Sequence, residues 1–129
     1  MSQLNNEQLK KGVLAFSSGN HGQGIALAGQ LLGTKTKIVV PKDGSKMKLS
    51  AMRGYGAKLH YYDRYTENRE EITQRLIEES GMTFVPPYDD FAIIAGQGTC
   101  GLELLEEVGH LDHLITTIGG GGLISGCSI

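Results

Sequence analysis

The sequence predicts an α/β fold, a parallel sheet flanked by helices, and three observations carry that expectation. Short β-rich runs alternate with helix-like segments, the rhythm of strands joined by crossover helices. At 129 residues, 40% hydrophobic and 20% charged, the chain has enough apolar surface for one ordinary core. Its 19 glycines come without the Pro or Ser enrichment of a flexible linker, and several close helix-like stretches, so glycine is placed for geometry.

Taken in order, Asn5 or Asn6 caps a short helix through Leu9, and Lys10-Lys11-Gly12 turns the chain into a strand, Val13 to Phe16. A helix from His21 to Leu32 follows, then the strand Thr36 to Val40, a helix Ser45 to Arg53 and the strand Lys58 to Tyr62. The next helix, from about Glu67 to Ser80, is strongly marked. Asn68 can cap it, Glu70 and Glu71 suit its positive end, and Ile72, Leu76 and Ile77 form its buried stripe. The strand Met82 to Val85, a helix from about Gly98 to Val108 and the strand His113 to Ile118 complete the series. Gly33, Gly56, Gly81 and Gly109 read as helix stops that need positive φ. No internal repeat is evident.

The formal net charge of −2, with Lys and Arg scattered, leaves no basic stripe for phosphates, which argues against nucleic acid as a partner. No apolar run approaches the roughly 20 residues of a membrane helix, and Met1-Ser2-Gln3-Leu4-Asn5 lacks a signal peptide's regions. No membrane partner and a cytoplasmic location are therefore expected. Cys100 and Cys127 match no metal or redox spacing and read as reduced structural thiols, with no metal site.

Two loops stand out because each joins a strand to a helix through a polar or glycine turn, the arrangement that sets ligands at helix N-termini. In Ser17-Ser18-Gly19-Asn20-His21, backbone N–H groups, two hydroxyls, an amide and an imidazole converge, which suits a carboxylate or phosphate. The same run is also an ordinary strand-to-helix turn with a capping residue. In Gly119-Gly120-Gly121-Gly122 every Cβ is removed, so backbone N–H groups can wrap a phosphate; a glycine run alone also reads as a flexible joint. Its place between the aliphatic runs Leu114 to Ile118 and Leu123-Ile124 favours the ordered cradle.

These residues resemble the fold-type II pyridoxal-phosphate enzymes, with the tryptophan synthase β-like fold, and among them the serine/threonine dehydratases (threonine ammonia-lyases) and serine racemases. Lys11-Gly12-Val13 leading into Ser17 to Gly24 looks like the family's asparagine loop, and Val39-Val40-Pro41 like its following strand. Pro86-Pro87-Tyr88-Asp89-Asp90, Ala95-Gly96-Gln97-Gly98-Thr99 and Gly119 to Gly122 resemble further signatures in family order. Phe91 stands where the family often has proline. The resemblance implies that Asn20 lies against the cofactor ring, that Ser17, Gly19 and His21 hold the substrate carboxylate, and that Gly119, Gly120, Gly121 and Gly122 hold the cofactor phosphate. Ser18 takes the place of a serine that donates or accepts a proton in the racemases and need only bind in the dehydratases. The substrate implied is a small amino acid, and the cofactor, pyridoxal phosphate, is the electron sink while the protein orients and transfers protons.

The family's Schiff-base lysine precedes the asparagine loop by tens of residues and has no counterpart here; Lys10 and Lys11 lie outside its motif. The sequence also stops just inside the helix after the glycine loop. The expectation is thus a piece of a dehydratase or racemase, short at both ends, inactive alone and without covalently bound cofactor. Its parts are a leading helix over residues 1–11, a small α/β domain over 12–88, and a large-domain stub over 90–129. The stub's apolar residues, Leu104, Leu105, Leu114 and Ile115 among them, point to a homo-oligomer or a complementing chain through residues 90–129. Two other readings stay open: a split-enzyme subunit completed by a partner, and a non-catalytic amino-acid-binding or interaction module.

Overall fold

The computed structural model describes residues 1–129, which form two compact units, Met1–Val85 and Pro86–Ile129. The first unit is an α/β layer structure. Helix α1 (Asn6–Lys11) leads into β1 (Val13–Phe16), then α2 (Asn20–Leu31), β2 (Thr36–Pro41), α3 (Lys46–Gly54), β3 (Lys58–Tyr62), α4 (Arg69–Ser80) and β4 (Thr83–Phe84). The four strands form one parallel sheet in the order β3-β2-β1-β4.

Every residue of β1 and all of β2 except Lys37 are buried, as expected of parallel strands covered on both faces. Alternation along the strands divides the core in two. Leu14, Phe16 and Val39 pack with Ile72 and Leu76 of α4, while Ile38 and Val40 pack with Ala26 of α2 and Leu49 and Met52 of α3.

Local signals fix the ends of these elements. Asn5, not Asn6, caps α1: its side chain accepts from the Glu7 and Gln8 N–H groups while Gln8 Oε1 accepts from the Asn5 N–H, a capping box. Asn68 caps α4 by accepting from Glu70 and Glu71. All four glycine stops have positive φ, and Gly81 ends α4 in the left-handed region at φ 63°.

The second unit is helical and departs from two expectations. Helix α5 runs from Phe91 to Val108 rather than from about Gly98, because Asp90 caps it through a 3.1 Å bond from the Ile93 N–H. Two of its glycines, Gly98 and Gly101, face helix α6 (Gly122–Cys127), Gly98 across a backbone-to-backbone contact. A Cβ on Gly98 would lie 2.6 Å from the Gly126 carbonyl oxygen. The strand expected at His113–Ile118 does not form. A strand is defined by its pairing, and this unit holds no second strand; Ile115 and Ile118 stand 93% and 69% exposed.

Candidate active site

The β1–α2 turn, Ser17–His21, lies at the carboxyl end of β1, where the strand order reverses: β2 and β3 lie to one side of β1 and β4 to the other. That reversal opens the crevice in which open parallel sheets bind ligands. Ser17 Oγ accepts from the backbone N–H of Gly19 at 3.1 Å and of Gly22 at 2.9 Å. Gly19, the N-cap of α2, has no side chain to offer, so the Ser17 hydroxyl does the capping from two residues upstream. With its oxygen engaged, the hydroxyl keeps its proton to donate.

The backbone N–H groups of Ser18, Asn20 and His21 find no acceptor in the chain. Asn20 and His21 open α2, so these are the orphan donors at the positive end of a 12-residue helix, a setting that favours a carboxylate. The Asn20 side chain is exposed and free of internal bonds. Lys48 of α3 brings a full positive charge to the same turn: its Nζ lies 3.2 Å from where a Gly19 Cβ would stand. No carboxylate pairs with it.

The imidazole of His21 points away from such a role. It is half-buried, its Nε2–H donates to the Val85 carbonyl at a long 3.4 Å, and burial lowers its pKa more than that bond raises it. The ring is neutral at pH 7, with Nδ1 as an acceptor. What His21 offers an anion is its backbone N–H.

Ser18 is exposed and lines an open cleft of about 650 Å³ with Tyr62 and the β3–α4 loop, including Arg64, Tyr65, Asn68 and Arg69. Arg64 Nε is 2.8 Å from Asp43, and Arg69 Nε is 2.8 Å from Glu70. The Arg69 guanidinium also stacks 4.6 Å from the Phe16 ring centroid, which ties it to the end of β1. Lys48, Arg64 and Arg69 escaped the sequence reading. The available signal was positional: each follows the carboxyl end of a strand in the parallel sheet, where sites are built.

In the second unit, Gly119–Gly122 leads into α6. Gly121 sits at φ 92°, a conformation L side chains rarely adopt, and a Cβ at Gly120 would overlap the Tyr88 ring. The turn closes through the Gly121 N–H to the Ile118 carbonyl at 2.8 Å, while the Gly120 and Gly122 N–H groups have no acceptor in the chain. It is an ordered turn with free donors.

Cys100 is exposed and Cys127 half-buried, neither in a disulfide. No cluster of metal-binding side chains occurs, and no helix is long and apolar enough to cross a membrane.

Comparison with known proteins gives concordant results. The family described as pyridoxal-phosphate dependent enzyme matches residues 1–129. Serine racemase of Schizosaccharomyces pombe is 50% identical over 129 residues, which are 100% of this chain and 40% of that protein. L-threo-3-hydroxyaspartate ammonia-lyase of Saccharomyces cerevisiae is 52% identical over the same span, again 40% of its length. The structure of threonine deaminase isoform 2 from Solanum lycopersicum superimposes with a TM-score of 0.83 at 40% identity, covering 98% of this chain and 37% of that one. The chain thus spans about 40% of the length of these relatives.

Proposed function

The chain belongs to the pyridoxal-phosphate dependent enzymes, and on that premise we propose that it carries the amino-acid-carboxylate loop and the cofactor-phosphate loop of an L-threonine/L-serine dehydratase. The observation that carries this reading is the Ser17–His21 turn, where three unpaired N–H groups and the Lys48 ammonium meet at the sheet's switch point.

The residues present fit the cofactor. The glycine turn has free N–H donors and a crowded backbone at Gly120 that excludes any side chain, which suits a phosphate. When bound, pyridoxal phosphate supplies the electron sink for the charge that develops on the amino-acid α-carbon. Asn20, exposed in the first position of α2, is the side chain that would meet its ring. The Ser18, Asn20 and His21 N–H groups and the Ser17 hydroxyl hold the carboxylate and fix the direction of the Cα–H bond. Ser18 presents a free hydroxyl to the cleft, placed to hold a proton on one face of the α-carbon.

Neither lysine ahead of the first strand can anchor the cofactor. Lys10 and Lys11 end α1 and so lie at the amino end of β1, whereas the turn lies at its carboxyl end. A four-residue strand rises about 13 Å, beyond hydrogen-bond reach of the turn. On this reading residues 1–129 bind and orient the substrate, with Lys48 as a charge at the carboxylate, and do not by themselves complete elimination.

Isothermal titration of L-threonine and of L-threonine amide tests the reading. The acid binds and the amide does not, and Lys48→Met weakens the acid more at low than at high salt. Equal binding of acid and amide would remove the carboxylate assignment. A second reading concerns the substrate side chain: the Arg64 and Arg69 guanidinium groups beside Ser18 favour a substrate with a second carboxylate. On this reading L-threo-3-hydroxyaspartate binds more tightly than L-threonine, and Arg69→Met abolishes the preference.

A further inference from the structure

The sheet has a second charged end that the dehydratase reading does not use. Four of the chain's eight lysines, Lys11, Lys35, Lys37 and Lys58, rim a pocket of about 260 Å³ floored by Thr36 and Met82. They come from three separate stretches of sequence, gathered because parallel pairing brings the amino ends of β1, β2 and β3 side by side. The asparagine loop occupies the opposite, carboxyl end.

Nothing in the chain neutralises this cluster. No carboxylate lines the pocket, and the ion pairs engage Lys42, Arg64, Arg69 and Arg75 instead. Lys37 and Lys58 are register partners on neighbouring strands, so two like charges sit abreast, an arrangement that opposes pairing. The carboxyl end of α4, near Ser80, brings a partial negative charge of about one half, small against four whole positive charges. A chain whose formal net charge is −2 has carboxylates to spare, yet places none here.

We propose that this pocket is a binding site for a small phosphorylated polyanion, of the inorganic pyrophosphate class, distinct from the amino-acid site. A single carboxylate would engage one or two ammonium groups and leave the rest repelling one another, whereas a pyrophosphate carries enough charge to bridge strands β2 and β3. Lysines bind phosphoryl oxygens as mobile point charges and need no fixed fork geometry. The volume falls below the roughly 300–1,000 Å³ of pockets for drug-sized ligands, which sets the ligand at the size of pyrophosphate or a small phosphorylated metabolite.

Titration of the 129-residue chain with inorganic pyrophosphate, followed by amide NMR at fixed ionic strength, tests the site. Saturable shifts confined to Lys11–Gly12, Lys35–Lys37, Lys58 and Ser80–Met82 are expected, with orthophosphate binding more weakly. The double variant Lys37→Gln/Lys58→Gln loses about tenfold or more in affinity, about 1.4 kcal/mol. The control Lys10→Gln/Lys46→Gln, outside the pocket, stays within about twofold. Urea midpoints show that both variants fold, since removing like charges costs no packing. Equal losses in the two variants, shifts centred on Ser17–His21 or Gly119–Gly122, or no saturation would each overturn the proposal.

Discussion

Replacing Ser17 with alanine separates a serine that builds the turn from a neighbour that faces the cleft. Ser17 Oγ accepts two backbone bonds, from Gly22 at 2.9 Å and from Gly19 at 3.1 Å, both partly buried. Each such bond contributes about 1 kcal/mol net, so Ser17→Ala should cost about 2 kcal/mol, at the upper end of the range for losing an N-cap. Ser18 is exposed and its side chain makes no bond within the chain, so Ser18→Ala should stay within about 0.5 kcal/mol. With a urea m-value of about 2 kcal/mol/M, Ser17→Ala lowers the midpoint by about 1 M at unchanged slope, and Ser17→Thr recovers most of that loss. L-Threonine affinity falls with it, because the Asn20 and His21 N–H groups are no longer held at the start of α2. Equal midpoints for Ser17→Ala and Ser18→Ala would refute the capping role and the preorganised turn built on it.

Burial holds the His21 pKa below its ordinary 6.5, so its contribution to stability is complete above that pH. As pH falls below 6.5 the unfolded chain takes up the proton first and stability declines toward the folded pKa; His21→Gln should flatten that slope in urea midpoints from about pH 7 to about pH 5. Gly24 lies inside α2 with no atom near its absent Cβ, so Gly24→Ala should stabilise by about 0.5–1 kcal/mol. Gly121→Ala, at φ 92°, should instead cost about 1–2 kcal/mol, and calorimetry of the two variants decides both signs. Phe91, Ile115 and Ile118 are exposed, which favours self-association through residues 90–129. Light scattering at micromolar concentration should show an oligomer for the whole chain and a monomer for one ending at Asp90; a monomeric whole chain would count against that interface.

The sequence determined those features that depend on neighbours in the chain. Alternating apolar runs specify the four strands, Asn68 three positions ahead of Glu71 specifies the start of α4, and Gly81 its end. The family was legible for the same reason, since its loops are contiguous motifs that keep their order. What depends on distant contacts was not legible. The helix expected from about Gly98 starts instead at Phe91, with Gly98 packed against the backbone of Gly126, and His113–Ile118 read as a strand although pairing requires a partner that periodicity cannot supply. The same limit applies to the candidate site. Ser17–His21 announces a turn with many donors, but only the strand order β3-β2-β1-β4 puts it at the switch point, and only α3 packing brings Lys48 to it. In the sequence His21 is one imidazole among the groups of the turn, and only its burial in the fold, which lowers its pKa, settles it as a neutral ring at pH 7. Capping, turn chemistry and hydrophobic period are local properties of a chain, whereas strand pairing, charge state and convergence depend on which surfaces are buried together.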